Sequence, residues 1–327
     1  MKHDNWTSIL KFDPIGPLVA STNQAVSFFA ARDLAGKSQT DPTQLWSLPA
    51  AQEIIRRQQD DGSWKYPGSK QRVRSAENYN QIETIRNLGY LIEMYGFDKT
   101  SPVITKAANF LLSFQTSTGD IRGILGNQYT PYYTAIIMEL LIHAGYKNDR
   151  RIEKAFKWLR DIRQKDSGWT IPFRTHNQKL EIISTDAAAL EPDKTKPFSH
   201  LVTGVVLRAY AADETYRQSA EAQTAGKLLL SRFFKKDSYT DRSSPDFWIR
   251  FTYPFWFTDI ISATDSLSKL GFSKDEPQIA KAAQWLAGNQ QSNGLWKLKT
   301  LKNDKKYNTD LWISLAICRV LKQLYLK

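Results

Sequence analysis

Apolar residues recur at three- and four-residue spacing along most of the chain and nowhere alternate convincingly, so the pattern predicts helices and no strands. Two kinds of helix can be told apart. The first comprises PAAQEIIRRQQ, ITKAANFLLSFQ, IEKAFKWLRDIRQ, AQTAGKLLLSRFF and IAKAAQWLAGNQ, which carry more charge. The second comprises NYNQIETIRNLGYLIEMYG, TPYYTAIIMELLIHAG, FSHLVTGVVLRAYAA, YPFWFTDIISATDSLSKLG and YNTDLWISLAICRVLKQLYL, which are more apolar and are joined by an earlier helix around Thr22 to Leu34. Gly96, Gly145 and Gly271 sit where C-terminal stops are expected. Alternating helices of this kind stack into an open solenoid or close into a ring. Six apolar helices are enough to line a ring, so the expected fold is all-α: an α/α toroid with about six inner and five outer helices, one domain over residues 1–327. The stretches Lys179 to Phe198 and Lys235 to Tyr253 exceed ordinary hairpin connections and read as lids or cavity walls.

A turn follows each charged helix. QQDDGSWKYPG (Gln58 to Gly68) recurs as RQKDSGW (Arg163 to Trp169) and NQQSNGLW (Asn289 to Trp296). A weaker copy, SFQTSTGDIRG, keeps Gln115 and Gly119 but has Ile121 at the tryptophan position, and SRFFKKDSYTD has lost both glutamine and glycine. Glycines at 62, 119, 168 and 294 give a spacing that suits an array of helical hairpins. Asp60 and Asp61 belong to the turn, because the other copies keep Gln, Gly and Trp while the acids vary.

The repeated Gln-x-x-x-Gly-x-Trp resembles the QW motif of the prenyltransferase and squalene cyclase repeat superfamily. SFFAARDLAG, QDDGSWKYPG, LIHAGYKNDRRIEKAFKWL and NQQSNGLWKLK are similar to a prokaryotic squalene-cyclase-like branch of it. The resemblance covers nearly the whole chain and implies an α/α toroid, in which the glutamine joins an outer helix end to the next helix start while the tryptophan packs across the turn. An amide both donates and accepts, so one glutamine can serve two helix ends. On this reading Gln59, Trp64, Trp169, Gln290 and Trp296 are structural.

Composition narrows the chemistry only partly. Aromatics form 12% of the chain, enough for some to line a cavity, and 45 Lys and Arg against 33 Asp and Glu give a formal charge of +12. That charge attracts anions without naming one. Cys318 is the single cysteine, which excludes an internal disulfide and a thiolate-rich metal site and fits a reducing compartment. The first residues, with Asp4, Asn5, Asp13 and Pro14, do not read as a signal peptide, and no segment approaches about 18 apolar residues, so a cytoplasmic protein is expected.

The superfamily's own chemistry is mostly absent from the sequence. Cyclases that protonate an alkene use a clustered Asp-x-Asp-Asp, in which one carboxyl stays protonated among like charges; here the nearest carboxylates on an inner helix are Asp259 and Asp265, six apart. Zinc held as in the protein prenyltransferases needs Asp and Cys two apart, whereas Cys318 follows Asp310 by eight. The reactive Cys-Gly-Glu-Gln of the thioester branch is missing. His3, His143, His176 and His200 lack metal-ligand spacing, and a hydrogen-bonded structural role is the plainer reading of each. No metal and no cofactor are expected.

Geometry then selects the candidates. If every inner helix starts just after a turn motif, the inner N-termini gather on one face and favour anions by roughly 0.3 to 1 kcal/mol per helix end. Tyr79, Tyr133, His200, Tyr253, Trp256, Asp310 and Trp312 lie near those starts, and Arg250 adds a cation; these are the candidate ligand-binding residues, with Asp259 as candidate catalytic acid or polar anchor. Against this stands the plain reading that the rings fill the toroid and that Asp259 is a helix N-terminal carboxylate. Three functions compete: binding or conversion of an isoprenoid or terpenoid in an aromatic cavity; a lyase or hydrolase for acidic polysaccharide using Tyr133, His200 and Arg250; and a non-catalytic scaffold with a basic rim. The first is favoured, with a hydrophobic or anionic small molecule such as an isoprenoid as partner. Nucleic acid is not expected, and peripheral membrane contact, catalysis and oligomeric state stay open.

Overall fold

A computed structural model describes residues 5–37, 41–68, 78–178, 187–239, 242–301 and 305–325. His3, the first part of the expected loop at 179–198, and residues 240–241 of the stretch 235–253 lie outside the described residues. In chain order the α-helices are α1 (Ile15–Val19), α2 (Gln24–Asp33), α3 (Pro49–Ile55), α4 (Tyr79–Gly89), α5 (Pro102–Leu112), α6 (Pro131–Leu141), α7 (Arg150–Asp161), α8 (Pro172–Thr175), α9 (His200–Ala212), α10 (Glu214–Arg217), α11 (Ala220–Ser231), α12 (Ile260–Lys269), α13 (Pro277–Gly288) and α14 (Thr309–Tyr325). Among the described residues β structure is confined to isolated bridges, so the all-α class holds.

The chain divides into two compact units: Met1–Pro42 with Arg217–Lys327 (unit 1), and Thr43–Tyr216 (unit 2). In unit 2 the apolar helices α4, α6 and α9 pack on one another with α6 in the middle, and the charged helices α5 and α7 lie against α4 and α6. In unit 1, α14 packs between α12 and α2, while α11 and α13 flank α12 and α1 lies on α2. Both expected layers are therefore present in each unit. The short α1 adds an outer helix that periodicity did not reveal, because five residues are too few to show a period.

Side-chain caps start the inner helices: Asn23, Asn78, Thr130, Ser199 and Asp259 each accept a hydrogen bond from a backbone N–H of the first turn. Gly96, Gly145 and Gly271 have φ of 65°, 93° and 98°, the left-handed stops expected of them. One start differs from expectation. The inner helix read from Tyr253 begins at Ile260, because Asp259 is extended (φ −126°, ψ 177°) and closes a capping box with Ser262.

The recurrent turn is a three-way joint. The indole Nε1 of Trp64, Trp169 and Trp296 donates to the carbonyl ten residues earlier, in the preceding outer helix: Ile54 (2.8 Å), Leu159 (2.7 Å) and Leu286 (2.6 Å). The backbone N–H of the same residues donates to a hydroxyl on the following inner helix: Thr84 (3.0 Å), Thr203 (2.9 Å) and Ser314 (3.0 Å). Ile121, standing where the weak copy lacks tryptophan, keeps this bond, to Thr134 (3.0 Å).

The glutamine makes the third grip, and in the first copy it is Gln58 rather than Gln59. Gln58 Nε2 donates to Gly62 O (3.0 Å) and to Val103 O in α5 (2.9 Å), whereas Gln59 Oε1 accepts from the Ser63 hydroxyl (2.8 Å). Gln115 likewise reaches Gly119 O (3.0 Å) and Arg151 O in α7 (2.8 Å). The helix reached is thus the next outer one, not the inner helix in between. Gln290 grips Gly294 O and Phe12 O (2.9 Å each), just ahead of α1, tying the last joint to the first residues of the chain within unit 1.

These close approaches explain the glycines. At Gly62, Gly119 and Gly294, with φ of 89°, 118° and 81°, an added Cβ would strike the backbone carbonyls of Lys106, Lys154 and Asp13. In RQKDSGW the tryptophan follows the glycine directly, so the turn is one residue shorter, and Ser167 takes the left-handed conformation (φ 77°). Here Gln164 holds carbonyls of the connecting loop, Asp193 (2.8 Å) and Lys196 (2.9 Å), in place of an outer helix. The part of the expected lid that is described is a strap bound to its own turn.

Thr203→Val keeps the volume near Trp169 but leaves a buried N–H without its acceptor. It is expected to lower unfolding stability by about 1–3 kcal/mol in urea titration, with Thr203→Ser close to wild type.

Candidate functional site

The starts of the inner helices in unit 2 combine capped amides with aromatic rings. Tyr79, the first residue of α4, is half-buried against Tyr66 (ring centroids 4.8 Å apart). Tyr133, in the first turn of α6, is half-buried with its ring edge-on to Tyr132 at 5.2 Å. His200 opens α9 but is only 3% exposed. Asn78, Thr130 and Ser199 already occupy one amide each at these helix starts, which weakens the expected pull on anions there.

In unit 1 the predicted residues meet different neighbours. Trp312 is buried in α14, stacked on Tyr253 at 5.4 Å and 6° and lying 6.0 Å from Phe29, while the Tyr253 hydroxyl lies 3.4 Å from Arg319 Nη1. Arg250 turns back on its own 3-10 turn, 3.7 Å from Asp246 and 5.1 Å from the centre of the Phe247 ring. Trp256 is half-buried, its N–H donating to Thr252 Oγ1 (2.9 Å), and Asp310 stands half-buried in the first turn of α14.

Asp259 is 1% exposed, and its Oδ1 accepts from the N–H groups of Ile261 and Ser262 at 2.9 Å each. Its observed work is that of an N-cap. Asp265, on the next turns of the same helix, is paired with Lys269 (2.7 Å). Each carboxylate thus has partners within its own helix.

Several charged pairs lie away from the helix starts. On the inner helices of unit 2, Glu139 of α6 grips Arg208 of α9 through Nε (2.9 Å) and Nη2 (2.7 Å), with the arginine side chain only 4% exposed. One turn beyond Glu139, His143 Nδ1 lies 2.6 Å from Glu93 Oε1. In unit 1, Asp33 at the end of α2 receives Arg32 (2.5 Å) and Arg319 of α14 (2.6 Å). These pairs lie in the later halves of their helices, where cations complement the helix dipole. Arg208 and Glu139 were hidden within runs read only as apolar.

A second cluster in unit 2 surrounds Tyr129. Its hydroxyl donates to Glu191 Oε2 (2.9 Å), the Arg122 guanidinium lies 5.2 Å from its ring centre, and Arg122 Nε pairs with Asp120 (2.8 Å). Burial, then the charge and hydrogen bond of Glu191, push the Tyr129 hydroxyl well above its ordinary value of 10.0, so it stays protonated. Burial would raise the Asp120 carboxyl, but hydrogen bonds from Arg122, Thr116 and Thr118 outweigh it and hold the group below 3.8. Glu191 belongs to the strap, which Gln128 also holds through Ala188 O (3.2 Å) and Leu190 N (3.1 Å).

Burial also pushes the Cys318 thiol up, keeping it protonated and unsuited to ligate a metal. Among the described residues no three His, Cys, Asp or Glu side chains gather as metal ligands, and no helix is long and apolar enough to cross a membrane.

The family model for the squalene-hopene cyclase C-terminal domain matches residues 78–189, within unit 2. Of the recurrent joints, that match takes in those at Gln115 and Gln164. No curated protein matches the chain. Among solved structures, similarity is found to the type II terpene cyclase MstE from Scytonema, at 14% identity over 94% of this chain and 98% of that one (TM-score 0.46). A variant of that enzyme in complex with its substrate, geranylgeranyl dihydroxybenzoate, aligns at 15% identity over 96% and 99% (TM-score 0.46). A protein from Actinoplanes aligns at 14% identity over 92% and 90% (TM-score 0.43).

Two outcomes test these assignments. Asp259→Ala should cost about 0.5–2 kcal/mol of stability by denaturant titration while Asp259→Ser keeps most of it, as a cap requires. Because the Asp120 carboxyl is depressed in the folded state, its contribution is present above the unfolded value and is lost as pH falls through the folded one. Asp120→Asn should therefore lower stability at neutral pH and flatten its decline below about pH 4, as followed by thermal unfolding across pH.

Proposed function

We propose that the protein binds an isoprenoid or terpenoid chain, with Tyr79 and Tyr133 of unit 2 as ring contacts for its apolar length. The observation that carries this reading is one of position. The squalene-hopene cyclase match spans α4 and α6, the two helices whose first turns present these half-buried tyrosines. Flat aromatic rings suit an unsaturated hydrocarbon, whose apolar surface they can cover. Their faces also carry the negative charge distribution that stabilises a carbocation. The reaction itself is left unassigned.

The test is equilibrium binding by tryptophan fluorescence and native mass spectrometry, using squalene, geranylgeraniol and geranylgeranyl diphosphate. At least one chain should bind saturably, and the double variant Tyr79→Ala/Tyr133→Ala should weaken binding about tenfold or more, which is about 1.4 kcal/mol. Absence of binding for all three chains, or binding indifferent to the double variant, would overturn the proposal.

A further inference from the structure

We infer that the strap over residues 187–198 is a hinged flap: it opens as one unit, uncovering a polar trough beside the first turn of α6, while the helices of unit 2 stay folded. The trough consists of four side chains that are almost fully buried, Gln128 (3% exposed), Tyr129 (4%), Gln164 (3%) and Thr175 (3%). Each turns a polar atom to the strap. Gln128 grips it twice, with Nε2 donating to Ala188 O (3.2 Å) and Oε1 accepting from the Leu190 N–H (3.1 Å). The Tyr129 hydroxyl donates to Glu191 Oε2 (2.9 Å), and Gln164 Nε2 donates to the carbonyls of Asp193 and Lys196 (2.8 and 2.9 Å). Thr175 Oγ1 accepts from the Asp193 N–H (2.9 Å), and the Lys165 N–H donates to Lys194 O (2.9 Å).

The way the strap is held is also what lets it open. None of residues 187–198 is buried, so its attachment rests on hydrogen bonds, each of which water replaces when the strap lifts. Gln164 Oε1, which meets no donor among the described residues while the strap is down, then gains one from water. The strap moves as a piece because it carries its own turn. Asp193 Oδ1 accepts from the N–H (3.0 Å) and hydroxyl (2.6 Å) of Thr195, and the Lys196 N–H donates to the Asp193 carbonyl (3.1 Å). Its later end is pinned where α9 begins. Phe198 lies so close over Gly168 that a Cβ there would strike its side chain, the Phe198 N–H donates to Asp166 Oδ2 (2.8 Å), and the Ser199 N–H donates to Trp169 O (2.9 Å). The hinge is therefore at Phe198 and Ser199, on the joint itself.

The competing reading is a fixed wall that yields only when the unit unfolds. Hydrogen exchange of the full chain, resolved to single amides by mass spectrometry, distinguishes them. No ligand is added, so the result is separate from the fate of the proposed function. The N–H groups of Leu190 and Asp193 on the strap and of Lys165 on the body should share one protection factor, about a hundredfold or more below those of α6 and α9. Tyr129→Phe and Glu191→Ala each remove a bond that none of these three amides makes. Each variant should speed all three by a common factor of about three or more, with α6 and α9 unchanged. Glu191 is exposed, so Glu191→Ala serves alone if Tyr129→Phe fails to fold. Protection equal to that of the helices, no acceleration in the folded variants, or acceleration of only one or two of the three amides would each overturn the inference.

Discussion

The architecture depends on how a chain leaves one helix and enters the next without stranding its backbone amides. A turn buried between layers must find an acceptor for every N–H, and water is not at hand. The solution here is a hydroxyl on the following inner helix: Thr84, Thr134, Thr203 or Ser314. That bond sets the height at which the inner helix meets the turn. The indole sets the distance to the helix just left, and the glutamine sets the position of the outer helix still to come. The Gln58–Trp64 joint thus places three helices, while those at Gln164 and Gln290 place two and hold a connecting segment with the third grip.

Much of this was legible in the sequence for a physical reason. Tryptophan beside a glycine at the end of an amphipathic run has few explanations, and its recurrence leaves fewer. The hydroxyl acceptors were not legible, since a single Thr or Ser in an apolar helix is commonplace and only the fold brings it to a turn 13 to 34 residues away. Gln58 and Gln59 are adjacent and chemically identical, so composition could not choose between them; the rise and rotation of one residue did. The start of α12 was obscured because the aromatic run before Asp259 has the hydrophobicity of a helix while lying outside it.

The charged groups of the inner helices were less legible, again for a reason. Dipoles favour anions at helix starts, yet these starts are capped by their own side chains. Charge was instead placed late in the inner helices, as partnered groups such as Glu139 with Arg208 and Asp33 with Arg319. Pairs across neighbouring helices are invisible to a reading that compares residues within one helix. Tyr79 and Tyr133 stand in the first turns of α4 and α6, and the Glu93–His143 pair lies just past the other ends of these helices.

The glutamine's choice of target reaches beyond stability. In every copy that retains it, the amide takes hold of main-chain carbonyls, whether in a helix, as at Val103 and Arg151, or in an irregular strap, as at Asp193 and Lys196. A contact made to the main chain is indifferent to which amino acid supplies it. One hairpin can therefore accumulate substitutions, or be exchanged for a loop, without its neighbour having to change in step. Such a coupling lets a repeated fold diversify its interior one segment at a time.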